Sequence, residues 1–79
     1  MKDIFEGLML EAETKMKADV EKNYYWRGYI RGLRRAHYGE AFGTAADHTL
    51  WSQMVNDPDV DWQQMGFGYR DGLAALDKS

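Results

Sequence analysis

Apolar residues recur along the first part of the chain at spacings of three and four: Ile4, Phe5, Leu8, Met9, Ala12, Met16 and Val20. That period places them on one face of an α-helix, with Lys, Glu and Asp on the other. Glu11/Lys15 and Glu13/Lys17 stand one turn apart and can pair along it. Asp3 occupies the position of an N-cap. From Asn23 the stripe moves. Trp26, Tyr29, Ile30, Leu33 and His37 form a second one, rotated by about 60° from the first. Either one helix runs from about residue 3 to 38, or a break falls near Asn23. No Gly or Pro interrupts the junction, so the preferred reading is a nearly continuous helix, kinked at most.

Gly39 suits the position just past the end of that helix. A short connection, Glu40-Ala41-Phe42-Gly43, leads to Thr44, which with Asp47 three residues on resembles a capping box. The pattern predicts a short helix from about 45 to 55, with Leu50, Trp51, Met54 and Val55 as its buried side. Asn56-Asp57-Pro58-Asp59 is the clearest break, because the residue before a proline is pushed out of the helical region. Asp57 can cap a last helix with Pro58 at its first position. Trp62, Met65, Tyr69, Leu73 and Leu76 then supply its core stripe. The expected fold is all-α. It is a single domain over residues 1–79, with a long N-terminal helix, a short middle helix and a C-terminal helix packed back on the first.

An internal repeat stands out in that frame. Gly28-Tyr29-Ile30-Arg31-Gly32-Leu33 aligns with Gly68-Tyr69-Arg70-Asp71-Gly72-Leu73. In each copy the two glycines share one helix face, one turn apart, and form a shallow groove for a backbone or a ring. Gly28, Gly32, Gly68 and Gly72 are therefore assigned to helix packing. The alternatives are an exposed docking groove and a chance alignment. Each glycine costs up to roughly 1 kcal/mol against Ala in a helix, so a helix that carries Gly66, Gly68 and Gly72 gains from their small size. Only the first copy is followed by Arg34-Arg35; the second is followed by Ala74-Ala75. A working site, if one copy is one, belongs to the first.

Composition narrows the chemistry. The 79 residues include three Trp, five Tyr and three Phe, an aromatic content that a disordered chain lacks. Three tryptophans on three predicted segments, Trp26, Trp51 and Trp62, are expected to converge in one core. A chain this short has a thin stability margin, so the apolar face of residues 4 to 20 also suits a homodimer. There is no cysteine, which removes a disulfide framework, a thiolate metal site and a Cys nucleophile. Acids inside the first apolar stretch argue against a signal peptide, and no window has the apolar length of a membrane span. The expected location is the cytoplasm.

The net charge of −3 gives no general drive toward nucleic acid, but the charge is unevenly placed. Arg27, Arg31, Arg34 and Arg35 project within an arc of roughly 100° on one helix surface, with Tyr24 and Tyr25 at or near its edges. Guanidinium forks beside aromatic rings bind carboxylates, phosphates or bases. The plainer alternative is that the arginines pair with the chain's own acids, Glu40 and the Asp57 to Asp61 segment. His37, Glu40, Asp47 and His48 lack a zinc-ligand spacing. His37 suits a helix C-terminus, where a cation is favoured. Gly66-Phe67-Gly68 lacks the strand and the Lys-Ser/Thr of a phosphate loop, and Ser52 and Ser79 have no base partner. No catalytic residue, metal or cofactor is assigned.

The residues Gly28-Tyr29, Gly32-Leu33-Arg34-Arg35, Gly39-Glu40, Phe42-Gly43-Thr44, His48, Trp51 and Gly68-Tyr69-Arg70-Asp71-Gly72 carry a likeness over residues 26 to 73 or so. On them the chain resembles the small, uncharacterised accessory proteins encoded by phages and prophages of Gram-negative bacteria. Some such proteins block host defence, as anti-CRISPR proteins do. The resemblance implies a non-enzymatic inhibitor that binds a host protein in the host cytoplasm, and it carries over no residue role. The leading expectation is thus a protein–protein interaction module whose Arg face meets an acidic host surface. Second comes a binder of nucleotides or single-stranded nucleic acid through the same arginines, and third a self-assembling helical element.

Overall fold

The junction between the two apolar stripes is a turn, and the chain reverses there. The computed structural model describes residues 4–77, which hold four α-helices and no strand: α1 (Ile4–Ala18), α2 (Asn23–Tyr38), α3 (Ala45–Gln53) and α4 (Val60–Ala75). The all-α class is as expected, but the long first helix is in fact α1 and α2. The Asp19 carboxylate accepts the Lys22 backbone N–H at 3.2 Å, and Val20 O accepts Asn23 N–H at 3.3 Å. An Asp side chain that satisfies a backbone donor three residues on can end a helix without Gly or Pro. The rotated stripes give the reason for the break. A straight helix would leave residues 4 to 16 without a partner, whereas the reversal lays α1 along α2. The Phe5 ring then stacks on His37 at 4.0 Å, and Lys15 Nζ sits 5.1 Å over Trp26 near the other end, so the two helices are antiparallel. Asp3, the expected N-cap, lies outside the described residues.

The main contact of the fold is between α2 and α4, and the repeat makes it. Gly28 lies against Met65 O and Tyr69 N; Gly32, one turn later, lies against Tyr69 O and Leu73 N. Gly68 lies against Tyr25 O and Tyr29 N, and Gly72 against Tyr29 O and Leu33 N. Partner numbers rise together, so the helices run parallel, and the last helix packs on α2 in the same direction rather than reversing along it. The two copies grip each other in register, as if related by a two-fold axis. A Cβ on Gly28 would overlap Met65 O and stand 2.9 Å from Tyr69 N. Carbonyl oxygens fill the space of the missing side chains, the arrangement that permits Cα–H···O contacts between helices.

Parallel neighbours need a crossover, and residues 39–59 supply it. Gly39 closes α2 with φ +67°, and its N–H donates to Arg35 O. A 3-10 turn (Gly39–Ala41) leads to α3, whose N-terminus has the capping box: Asp47 N–H donates to Thr44 Oγ1 at 3.2 Å, and Thr44 N–H to Asp47 Oδ2 at 3.4 Å. A second 3-10 turn (Met54–Asn56) presses on Gly66, where a Cβ would come 2.5 Å from Val55 N. The cap of α4 is Asp59, not Asp57: its side chain accepts from Asp61 N–H, and the helix begins at Val60, so Pro58 stays outside.

Among the described residues the buried apolar ones are Phe5, Ala12, Ile30, Leu33, Met54, Met65 and Tyr69, with Leu33 and Tyr69 the largest that are fully enclosed. Two sequence expectations fail here. Leu50 and Trp62, assigned to buried stripes, are 62% and 48% exposed. At Met54 the helix tightens to 3-10, which breaks the one-turn alignment of Leu50 with Met54. The three tryptophans also do not meet. Trp26 packs on Tyr29 at 5.2 Å, Trp51 on Tyr69 at 5.5 Å, and Trp62 opens to solvent.

Candidate functional site

The arginine arc of α2 is divided by what folds over it. The crossover covers one side. The Arg31 guanidinium lies 5.0 Å from the Trp51 ring centre and 5.1 Å from that of Phe42, and Arg34 lies 5.7 Å from Phe42. The Arg35 stem passes Gly43, where a Cβ would come within 3.3 Å of its Cδ. Arg35 Nε is buried without a hydrogen-bond partner. Arg31 and Arg35 are thus parts of the fold. A guanidinium between two aromatic faces gains cation–π attraction while its edge stays hydrated.

The other side of the arc borders α1. Glu13, Met16 and Lys17 from α1 and Arg27, Ile30 and Arg34 from α2 line an open cleft of about 390 Å³. Three cations face one carboxylate there. Arg27 also stacks on Tyr24 at 5.6 Å, which leaves Tyr24 at the rim. Tyr25 does not join them. It points into the α2–α4 crossing, where its hydroxyl donates to Asp71 Oδ2 at 2.6 Å. The alternative pairing of the arginines with Glu40 or the Asp57 to Asp61 segment is not seen. The ion pairs among the described residues are Lys15–Glu11 at 2.9 Å and Arg70–Asp71 at 3.5 Å.

Three tyrosines have hydroxyls whose ionisation the fold opposes. Burial raises the pKa of Tyr25 above its usual 10.0, and the bond it gives to Asp71 raises it further. Burial is also the main cause of the rise at Tyr29, reinforced by Glu11, and at Tyr69, where Arg35 and Arg31 only partly oppose it. A pKa raised by folding favours the native state while the group is protonated. That contribution is complete below the unfolded value of about 10 and is lost as pH rises past it. Urea midpoints should therefore hold steady up to about pH 9 and fall at about pH 11, as phenolate absorbance appears. A midpoint unchanged at the higher pH would contradict the protonated hydroxyls.

The histidines have structural partners. His37 stacks on Phe5, and His48 Nδ1 lies 2.7 Å from the Tyr69 hydroxyl. His37, Glu40, Asp47 and His48 are dispersed, and among the described residues no three His, Cys, Asp or Glu side chains are grouped to hold a metal. No helix among the described residues is long and apolar enough to cross a membrane. The chain matches no family model, no curated protein and no solved structure.

Proposed function

We propose that the protein is a non-enzymatic interaction module whose contact is the cationic cleft between α1 and α2. The observation that carries this reading is the concentration of Lys17, Arg27 and Arg34 around an apolar floor of Met16 and Ile30, without ion pairs to acids among the described residues. Fixed guanidinium forks above an apolar floor suit a carboxylate-bearing protein surface, which they can bind bidentately. The net charge of −3 opposes an extended phosphate backbone, which needs many cations at once. The resemblance to phage accessory proteins makes an acidic host protein, such as a defence component, the natural partner.

The fold changes which residues test this. Arg31 lies between two crossover rings and the Arg35 stem runs past Gly43 with its Nε buried, so replacing them perturbs packing as well as charge, whereas Arg34 touches Phe42 alone and also lines the cleft. Lys17, Arg27 and Arg34 are the informative set. A Lys17→Glu/Arg27→Glu/Arg34→Glu variant should keep the wild-type circular dichroism and lose the proteins that wild type captures from bacterial lysate. Each rim charge should matter more at low salt than at high salt. An identical capture profile from the folded variant would remove the cleft from the reading. Tight binding of a single-stranded oligonucleotide at low salt would favour nucleic acid in its place.

A further inference from the structure

The α3–α4 junction exposes a second concave surface, opposite in charge to the first. Leu50, Trp51, Met54 and Trp62 line an open groove of about 490 Å³, and Asp57 and Asp59 stand in its wall. Both acids are held in place. Asp57 Oδ1 accepts the Asp59 N–H at 2.9 Å, and Asp59 Oδ1 accepts the Asp61 N–H at 2.9 Å. Neither forms an ion pair within the described residues. Trp51 already takes a guanidinium from inside the fold, that of Arg31 at 5.0 Å.

We infer that this groove docks a cationic, partly apolar segment of a partner protein, an arginine or lysine set between apolar side chains. The charge and the apolar surface must be matched together. A phosphate or an acidic peptide would face two fixed carboxylates. A wholly apolar segment would cover them without a partner, which is costly. An arginine satisfies both demands: its stem lies along Leu50 and Met54, and its head reaches the Trp62 face and the carboxylates. The groove is separate from the α1–α2 cleft and does not depend on it. With both in use, one small chain would bridge an acidic surface and a basic one.

The test uses the full chain, isotope-labelled, and the peptide acetyl-Leu-Arg-Leu-Arg-amide, with arginine replaced by neutral, isosteric citrulline as control. Titration into the millimolar range should shift the Trp51 and Trp62 indole N–H signals and the Leu50 amide saturably. The citrulline peptide should bind roughly tenfold more weakly, as should an Asp57→Asn/Asp59→Asn variant, whose amide oxygens can keep the backbone bonds. Trp62→Ala, at an exposed position, should fold and lose the response. Equal binding of the citrulline peptide, an undiminished response in Trp62→Ala, or no saturable shift at these signals would each overturn the proposal. The same signals shifting with protein concentration alone would overturn it in favour of a second copy as the occupant.

Discussion

Gly28→Ala and Gly68→Ala are each expected to destabilise the protein by about 3 kcal/mol, the upper end of what overpacking costs. In both, the new methyl group meets backbone, not a side chain that can turn away. On Gly28 it collides with Met65 O; on Gly68 it collides with Tyr25 O and comes 2.8 Å from Tyr29 N. Relief requires α2 and α4 to separate, which loosens every contact along the crossing. A chain of 79 residues has a total stability of roughly 4–12 kcal/mol, so one methyl group removes a large share of it. The melting temperature should fall by about 15 °C. Gly7 supplies the internal control. It lies in α1, and a Cβ there would meet nothing within 4 Å. Gly7→Ala should stabilise by about 0.5–1 kcal/mol through helix propensity alone. Urea unfolding followed by circular dichroism reads all three variants. The near two-fold relation of the repeats adds a stricter expectation: the Gly28 and Gly68 losses should be similar. Losses within error of zero at both positions would mean that the helices do not approach closely.

The same glycines show what was legible beforehand. A side chain's absence leaves a direct mark in the sequence, so two copies of Gly-x-x-x-Gly point to close helix faces. Their spacing does not reveal direction, and the parallel arrangement follows only once the crossover is known. Helix ends with strong local chemistry were also legible, as at Gly39 and at Thr44 with Asp47. The turn at residues 19 to 22 was harder, because its stop signal is a single Asp bonded to the backbone, a residue that favours caps and turns but is joined here by no Gly or Pro. The stripe rotation at Asn23 was the better signal. Trp62 and Leu50 have the right period for a core and still face solvent, since periodicity assigns a face without saying whether anything covers it. The arginine arc shows the opposite effect. Its azimuths were sound, but Phe42, Gly43 and Trp51 come from a crossover whose path the helix pattern does not encode, and they cover part of it. At the level of sequence Asp57 and Asp59 mark only a break in the chain, because the aromatic walls of their groove come from the segments on either side of that break.

Tyr69 is the side chain on which these parts converge, and Tyr69→Ala should cost about 4 kcal/mol, as aromatic truncations in a core do. It is 1% exposed; its backbone lies against Gly28 and Gly32, its ring against Trp51, and its hydroxyl against His48. Truncation opens a cavity beneath Trp51, so the aromatic contact to Arg31 should loosen with it. Tyr69→Phe separates the ring from the hydroxyl. It keeps the packing and removes one partly buried hydrogen bond, for an expected loss of about 1 kcal/mol. His48→Ala should cost a similar amount on its own. In the double variant with Tyr69→Phe the losses should fall short of additive, because both remove the same bond. Strict additivity would show that the His48–Tyr69 bond contributes nothing. The two grooves respond differently to the two changes. Trp51 walls the acidic groove and stacks on Arg31, so Tyr69→Phe should leave peptide binding there intact, whereas Tyr69→Ala should weaken it even under conditions where the chain stays folded. The cationic cleft, built from α1 and the far side of α2, should bind as before in both.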